Sequence, residues 1–150
     1  MKLANYIDSV LPEDIEQCRN SQIKQIYYQV GFDCVLGLIK IAHTKLNQGK
    51  GKNYKGIHLY VPNGFIPEHE LAIHCGKIAM MALCDLYAGL YIRLYKAQSI
   101  LISCRNRQII DIYQQDFPVK KEGVFLELAD NFQVRPAHIK KIVSHGLKNA

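Results

Sequence analysis

What this chain of 150 residues lacks removes several classes of protein before any pattern is read. It has five cysteines, Cys18, Cys34, Cys75, Cys84 and Cys104, but no CxxC pair. An odd set lying mostly inside apolar helical patterns reads as reduced core thiols, not as a disulfide framework or zinc site, and fits a cytoplasmic protein. No apolar run is long enough for a membrane span: Asp85 and Arg93 interrupt the most apolar region, Ile78 to Leu94. The opening Met1 to Asp8 lacks the apolar stretch of a signal peptide, so the expectation is a soluble, intracellular chain without a membrane partner.

Catalytic patterns are missing as well. Gly49, Gly51 and Gly56 sit among lysines with no strand-to-helix context, so they form no phosphate loop. His69 and His74 superficially match a zinc-protease helix, yet five helical steps turn roughly 500° and leave them about 140° apart. Asp85, Asp111, Asp116 and Asp130 show no pairing suited to acid–base work, and no nucleophile stands beside a base. The expectation is a protein that is not an enzyme and takes no metal or cofactor.

Acidic residues are absent from two stretches, and this locates the net charge of +6. Residues 43–62 carry four lysines and no acid, and 104–150 carry eight basic residues against five acids, with none from Asn131 to Ala150. Residues 1–42 hold four basic residues against five acids, and 63–103 hold three of each. A localised cationic excess points to a polyanionic partner.

With 49% hydrophobic residues the chain can bury a core. Leu11-Pro12-Glu13-Asp14 resembles a helix start, with Pro and two acids in the first turn. Apolar positions at helical spacing follow through Ile23, Ile26, Tyr27 and Val30, and after Gly31 through Phe32, Val35, Leu36 and Ile39. His43 to Lys55 reads as a loop whose lysines are more often solvated than bound to phosphate. Strict alternation over 56–62 predicts a strand with Ile57, Leu59 and Val61 on one face. A helix is expected from Pro67 through Leu86, then a second alternating strand with Leu90, Ile92 and Leu94 on one face. Ser99 would cap a helix from Ile100 to Gln115. Segments 30–62 and 75–95 form a weak internal repeat, the first enlarged by the Lys-rich loop, and their strands would pair antiparallel within one chain.

The stretch from Phe125 to Val143 predicts two short helices joined by a tight turn, a helix-turn-helix. Leu128, Ala129 and Phe132 would face inward on the first helix, and Ile139, Ile142 and Val143 on the second. Val134 plugs the turn, and Pro136 suits the first helical position, where the missing N–H costs nothing. Gln133 stands where Gly is commoner. Arg135, Ala137, His138, Lys140, Lys141 and Ser144 remain outward, the basic and polar face a major-groove reader needs. Arg105, Arg107, Lys120, Lys121, His138 and Lys148 are expected at flanking phosphates.

The order of these parts resembles the middle-operon-regulator (Mor/C) family of transcription activators from Mu-like phages. The resemblance rests on Leu11-Pro12-Glu13-Asp14, Val30-Gly31-Phe32 with the helix through Leu36, Leu38 and Ile39, and Gly56-Ile-His-Leu-Tyr-Val-Pro62. At the C-terminus it rests on Arg105-Asn-Arg-Gln-Ile-Ile110, Glu127-Leu-Ala129, Phe132 and Ile139 to Val143. It implies a dimer with intertwined helices and strands, a helix-turn-helix from each subunit on DNA upstream of a promoter, contact with RNA polymerase, and a place at the nucleoid of a bacterial host cell. The chain departs from the pattern in an extra helix and strand, Pro67 to Tyr95, which would replace a homodimer partner's contribution.

The fold expected is mainly α: a helical, dimerisation-like region over 1–98 with a small antiparallel two-stranded element, then a helix-turn-helix DNA-binding domain over 99–150. The function expected is sequence-specific binding of double-stranded DNA in transcription regulation. The alternative is a helical protein-interaction module whose charge only keeps it soluble.

Overall fold

The computed structural model describes residues 3–50, 54–116 and 123–148. It is mainly helical with one small two-stranded antiparallel sheet. After a 3-10 segment, Leu3–Ser9, come α1 (Pro12–Glu16), α2 (Ser21–Gln29) and α3 (Phe32–Asn47), then β1 (His58–Tyr60). The second half brings α4 (Glu70–Cys75), α5 (Lys77–Tyr87), β2 (Tyr91–Arg93), α6 (Ser99–Asp116), α7 (Val124–Phe132) and α8 (Pro136–Lys148). No helix among the described residues is long and apolar enough to cross a membrane.

The two halves share one plan. Asn20 caps α2, its Oδ1 accepting from the Ile23 N–H at 3.1 Å, and the His69 Nδ1 caps α4 from the Leu71 N–H at the same distance. Each capped helix ends at a glycine that starts the next: Gly31 at φ +126°, ψ 172°, and Gly76 at φ +93°, ψ 162°. Side chains rarely adopt such a φ, so glycine is what allows the chain to leave one helix and enter another at a new angle. The continuous helix expected from Pro67 through Leu86 is therefore corrected to two, with His69 just outside the first. Four, seven and eight residues after each glycine the side chains are buried, Val35, Leu38 and Ile39 in one half and Met80, Leu83 and Cys84 in the other.

The strands pair as expected, within one chain: His58 with Arg93, Leu59 with Ile92, Tyr60 with Tyr91. The ladder continues through backbone bonds from the Val61 N–H to the Leu90 carbonyl and from the Leu94 N–H to the Ile57 carbonyl. Ile57, Leu59, Val61, Ile92 and Leu94 are buried. Leu90 is the exception, 57% exposed, because it lies in the turn that enters β2 and only its carbonyl joins the ladder. On the far edge of β2, the Gln22 side chain takes the place of a third strand: its Oε1 accepts from the Arg93 N–H at 3.0 Å and its Nε2 donates to the Tyr91 carbonyl at 3.3 Å. The Asn20 Nδ2 donates to the Arg93 and Tyr95 carbonyls, both at 2.8 Å.

The loop expected over His43 to Lys55 begins later than its composition indicated. Helix α3 continues to Asn47, carried by the buried Ile41 and Ala42 and the half-buried Leu46. Lys45 pairs with Glu70 at 3.3 Å and is no free cation, while Lys52 lies outside the described residues. Helix α4 crosses α3 at Gly37, where a Cβ would stand 2.6 Å from the His74 carbonyl oxygen. Helix α6 joins the two ends of the chain, packing on α1 and the 3-10 segment on one side and on α7 and α8 on the other.

Candidate nucleic-acid interface

The C-terminal helix pair is built on α6. Helix α7 turns Val124, Leu128, Ala129 and Phe132 inward, and the Phe125 ring stacks on Tyr113 of α6, centroids 5.8 Å apart and planes 11° from parallel. Between α7 and α8 the chain reverses through Gln133, at φ +53°, ψ 45°. This left-handed conformation brings the N–H groups of Gln133 and Val134 back to the Ala129 carbonyl, satisfying the open end of α7. Val134 packs half-buried against the core, the plug expected of it. The Arg135 carbonyl then accepts from the His138 and Ile139 N–H groups at 2.9 and 3.0 Å and opens α8 at Pro136.

Helix α8 is sharply two-sided. Ile139, Ile142 and Val143 are buried. Gly146 meets Ile110 of α6 so closely that a Cβ there would clash with that side chain. Arg135, Pro136, Ala137, His138, Lys140, Lys141, Ser144 and Lys148 are all exposed, as expected. Ala137, Lys140, Lys141, Ser144, His145 and Lys148 line one shallow groove along α8. The structure thus brings most of the expected readers together and adds His145, four residues after Lys141 and on the same face. Arg135, Pro136 and His138 lie outside that groove, at the start of the helix.

Among the described residues, no carboxylate pairs with Arg135, Lys140, Lys141 or Lys148. The Lys140 Nζ lies 5.8 Å from the Phe125 ring centroid, which steers the ammonium along α7 without neutralising it.

The flanking cations divide differently. Arg107 is a correction: its guanidinium turns to α1, where Nη2 donates to Asp14 Oδ2 at 3.2 Å and to the Ser9 carbonyl at 2.8 Å, with Glu13 Oε1 3.6 Å from Nε. Asp14 is buried and also accepts from the Leu11 N–H at 2.9 Å and the Ser103 hydroxyl at 3.0 Å. Burial works against the charge on Arg107, but the Asp14 hydrogen bond and attraction outweigh it and raise its pKa. Arg105 is half-buried and bonded to Asn106 Oδ1; burial lowers its pKa, opposed by the nearby Tyr6. Lys120 and Lys121 lie outside the described residues.

No family model, curated protein or solved structure matches the chain.

Proposed function

We propose that the protein binds double-stranded DNA as a transcription regulator, with α7 and α8 acting as a helix-turn-helix and α8 entering the major groove. The observation that carries this reading is the outer face of α8, exposed along its length and acid-free, with no carboxylate among the described residues paired to Lys140, Lys141 or Lys148, above a firmly buried aliphatic side. Short side chains, Ala137 and Ser144, line the same groove as Lys140, Lys141 and Lys148. A recognition helix needs this combination: small groups let the helix approach base edges while cations meet phosphates beside them. The order of parts shared with the Mor/C family supports an activator that also contacts RNA polymerase. Arg135 and His138 reach the flanking backbone from the start of α8.

The test is a binding titration on duplex DNA at several salt concentrations. Each phosphate contact contributes about one to the slope of log affinity against log salt. Lys140→Ala with Lys141→Ala should therefore weaken binding to every sequence and flatten the slope by up to about two. Ser144→Ala should instead change which sequences are preferred. Unchanged affinity and slope in the double lysine variant would refute the assignment. The competing reading, a protein-interaction module, draws on the outward Tyr60 and Tyr91 pair on the sheet, ring centroids 5.4 Å apart; it gains if duplex DNA is not bound at all.

A further inference from the structure

A cleft of about 590 Å³ opens between α1, α6 and α8, beside the outer groove of α8. Pockets that hold small molecules run from roughly 300 to 1,000 Å³. Its floor is one stripe of α6, Ser103, Asn106, Arg107, Ile110 and Asp111, which steps of three and four residues keep on a single face. Glu13, Asp14 and Gln17 of α1 form one wall, and Ile142, His145 and Gly146 of α8 the other. The α8 side is therefore largely apolar and the α1 side acidic. Three carboxylates, Glu13, Asp14 and Asp111, face one guanidinium: Arg107 donates to Asp14 at 3.2 Å and stands 3.6 Å from Glu13, while Asp111 has no ion pair among the described residues. With His145 neutral, two negative charges are left over, and a cleft of one sign concentrates cations.

We propose that this cleft binds a linear aliphatic diamine, one ammonium at Glu13 and the other at Asp111. A metal ion does not fit, because among the described residues no three His, Cys, Asp or Glu side chains gather closely enough to hold one. The positive charge has to arrive at two points joined by an apolar chain. Arg107, beside Glu13, precedes Asp111 by four residues, about 6 Å along α6, a span that about four or five methylenes cover. Those methylenes rest on Ile110 and Ile142. Gln17 follows Glu13 by four residues on α1, and its Oε1, 3.2 Å from the Ser103 hydroxyl, is a neutral acceptor for the same ammonium. An acidic ligand is disfavoured, since it finds only Arg107, already held by Asp14. His145 borders both this cleft and the outer groove of α8, so an occupant lies against the helix assigned to DNA. That consequence rests on the DNA-binding reading; the binding of the diamine does not.

The experiment is calorimetric titration of putrescine, the four-carbon diamine, into the full chain without DNA, so its outcome is independent of whether DNA is bound. At about 100 mM salt, where exposed charges are screened beyond about 10 Å, putrescine binds one saturable site. Its dissociation constant lies below about 1 mM, and butylamine, with a single ammonium, binds at least about tenfold more weakly. Asp111→Asn and Glu13→Gln each weaken putrescine by about tenfold or more. Asp116→Asn, which removes an exposed acid of α6 outside the cleft, leaves the affinity unchanged. Asp111 is exposed and without an ion pair among the described residues, so its variant tests the site even if Glu13→Gln, beside Arg107, loses its native circular dichroism spectrum. Absence of saturable binding, equal affinity for butylamine, undiminished binding in Asp111→Asn, or an equal loss in Asp116→Asn overturns the proposal.

Discussion

Replacing Gly37 by Ala should destabilise the protein, although the same change in most helices does the opposite. In the middle of a helix Ala is favoured over Gly by about 1 kcal/mol, so propensity alone predicts a gain. The crossing with α4 reverses the sign. An added Cβ meets the His74 carbonyl oxygen at 2.6 Å, the His74 carbonyl carbon at 2.9 Å and the Cys75 Sγ at 2.7 Å, where ordinary contact begins at 3.4 Å. Relief requires α3 and α4 to part by most of an ångström, and two of the three obstructing atoms are backbone, which no rotamer change removes. Overpacking of this kind costs about 1–3 kcal/mol, and a backbone obstacle places it at the upper end. Subtracting the propensity gain leaves a net loss of about 1–2 kcal/mol, or about 2–8 °C in Tm for a chain of this size. Thermal and urea unfolding of Gly37→Ala measure it directly. Adding Cys75→Ala relieves only the sulfur contact, so the double variant should recover only part of the loss. A Gly37→Ala protein as stable as wild type, or more so, would refute the close crossing on which the packing of the two halves rests.

Gln133→Gly should stabilise by about 0.5–1 kcal/mol, because the left-handed turn after α7 strains any residue with a Cβ by more than the entropy that glycine brings to the unfolded chain; a lower urea midpoint would contradict the turn geometry. Arg107→Ala leaves the buried Asp14 carboxylate with two hydrogen bonds instead of three and should cost about 2–3 kcal/mol. Lys140→Ala should leave stability within about 0.5 kcal/mol, and equal losses in the two variants would remove the distinction between structural and surface cations. His43 packs edge-on against the buried Tyr54, ring centroids 5.3 Å apart, and burial lowers its pKa below the usual value of 6.5. The native state then binds fewer protons than the unfolded chain, so the contribution of His43 is fully present above pH 6.5 and is lost as pH falls through the depressed native pKa. His43→Phe should flatten the fall in stability between pH 7.5 and 5.5, and an unaltered pH profile would show that this imidazole does not titrate with folding.

Local pattern and long-range contact separate cleanly in this chain. Alternation located both strands, and helical spacing located the inward residues of α7 and α8, because each depends on side chains a few positions apart. The break at Gly76 was hidden by apolar residues that keep helical spacing on either side of it, so only the positive φ reveals two helices. Composition placed a loop where α3 continues, since Thr44, Lys45 and Asn47 are polar while the neighbouring apolar residues still pack. Arg107 and Lys45 looked like free cations because their acidic partners, Asp14 and Glu70, lie 93 and 25 residues away in sequence. Gln22 and Asn20 closing the edge of β2 escape any local reading for the same reason. On α8, exposure and the absence of acid could be read residue by residue; the gathering of six side chains into one groove, with Arg135 and His138 outside it, required the fold.

The joining of β1 to β2 inside a single polypeptide frees the two halves from one another. In a pair of identical subunits every substitution is made twice, and a residue that suits one environment must suit its symmetry mate. Here Ile41 and Leu86 hold corresponding places and meet opposite surroundings, one sealed and one facing water, and the lysine-rich insertion burdens one half alone. Asymmetry of that sort is open to a chain that carries two halves of one plan in a single polypeptide.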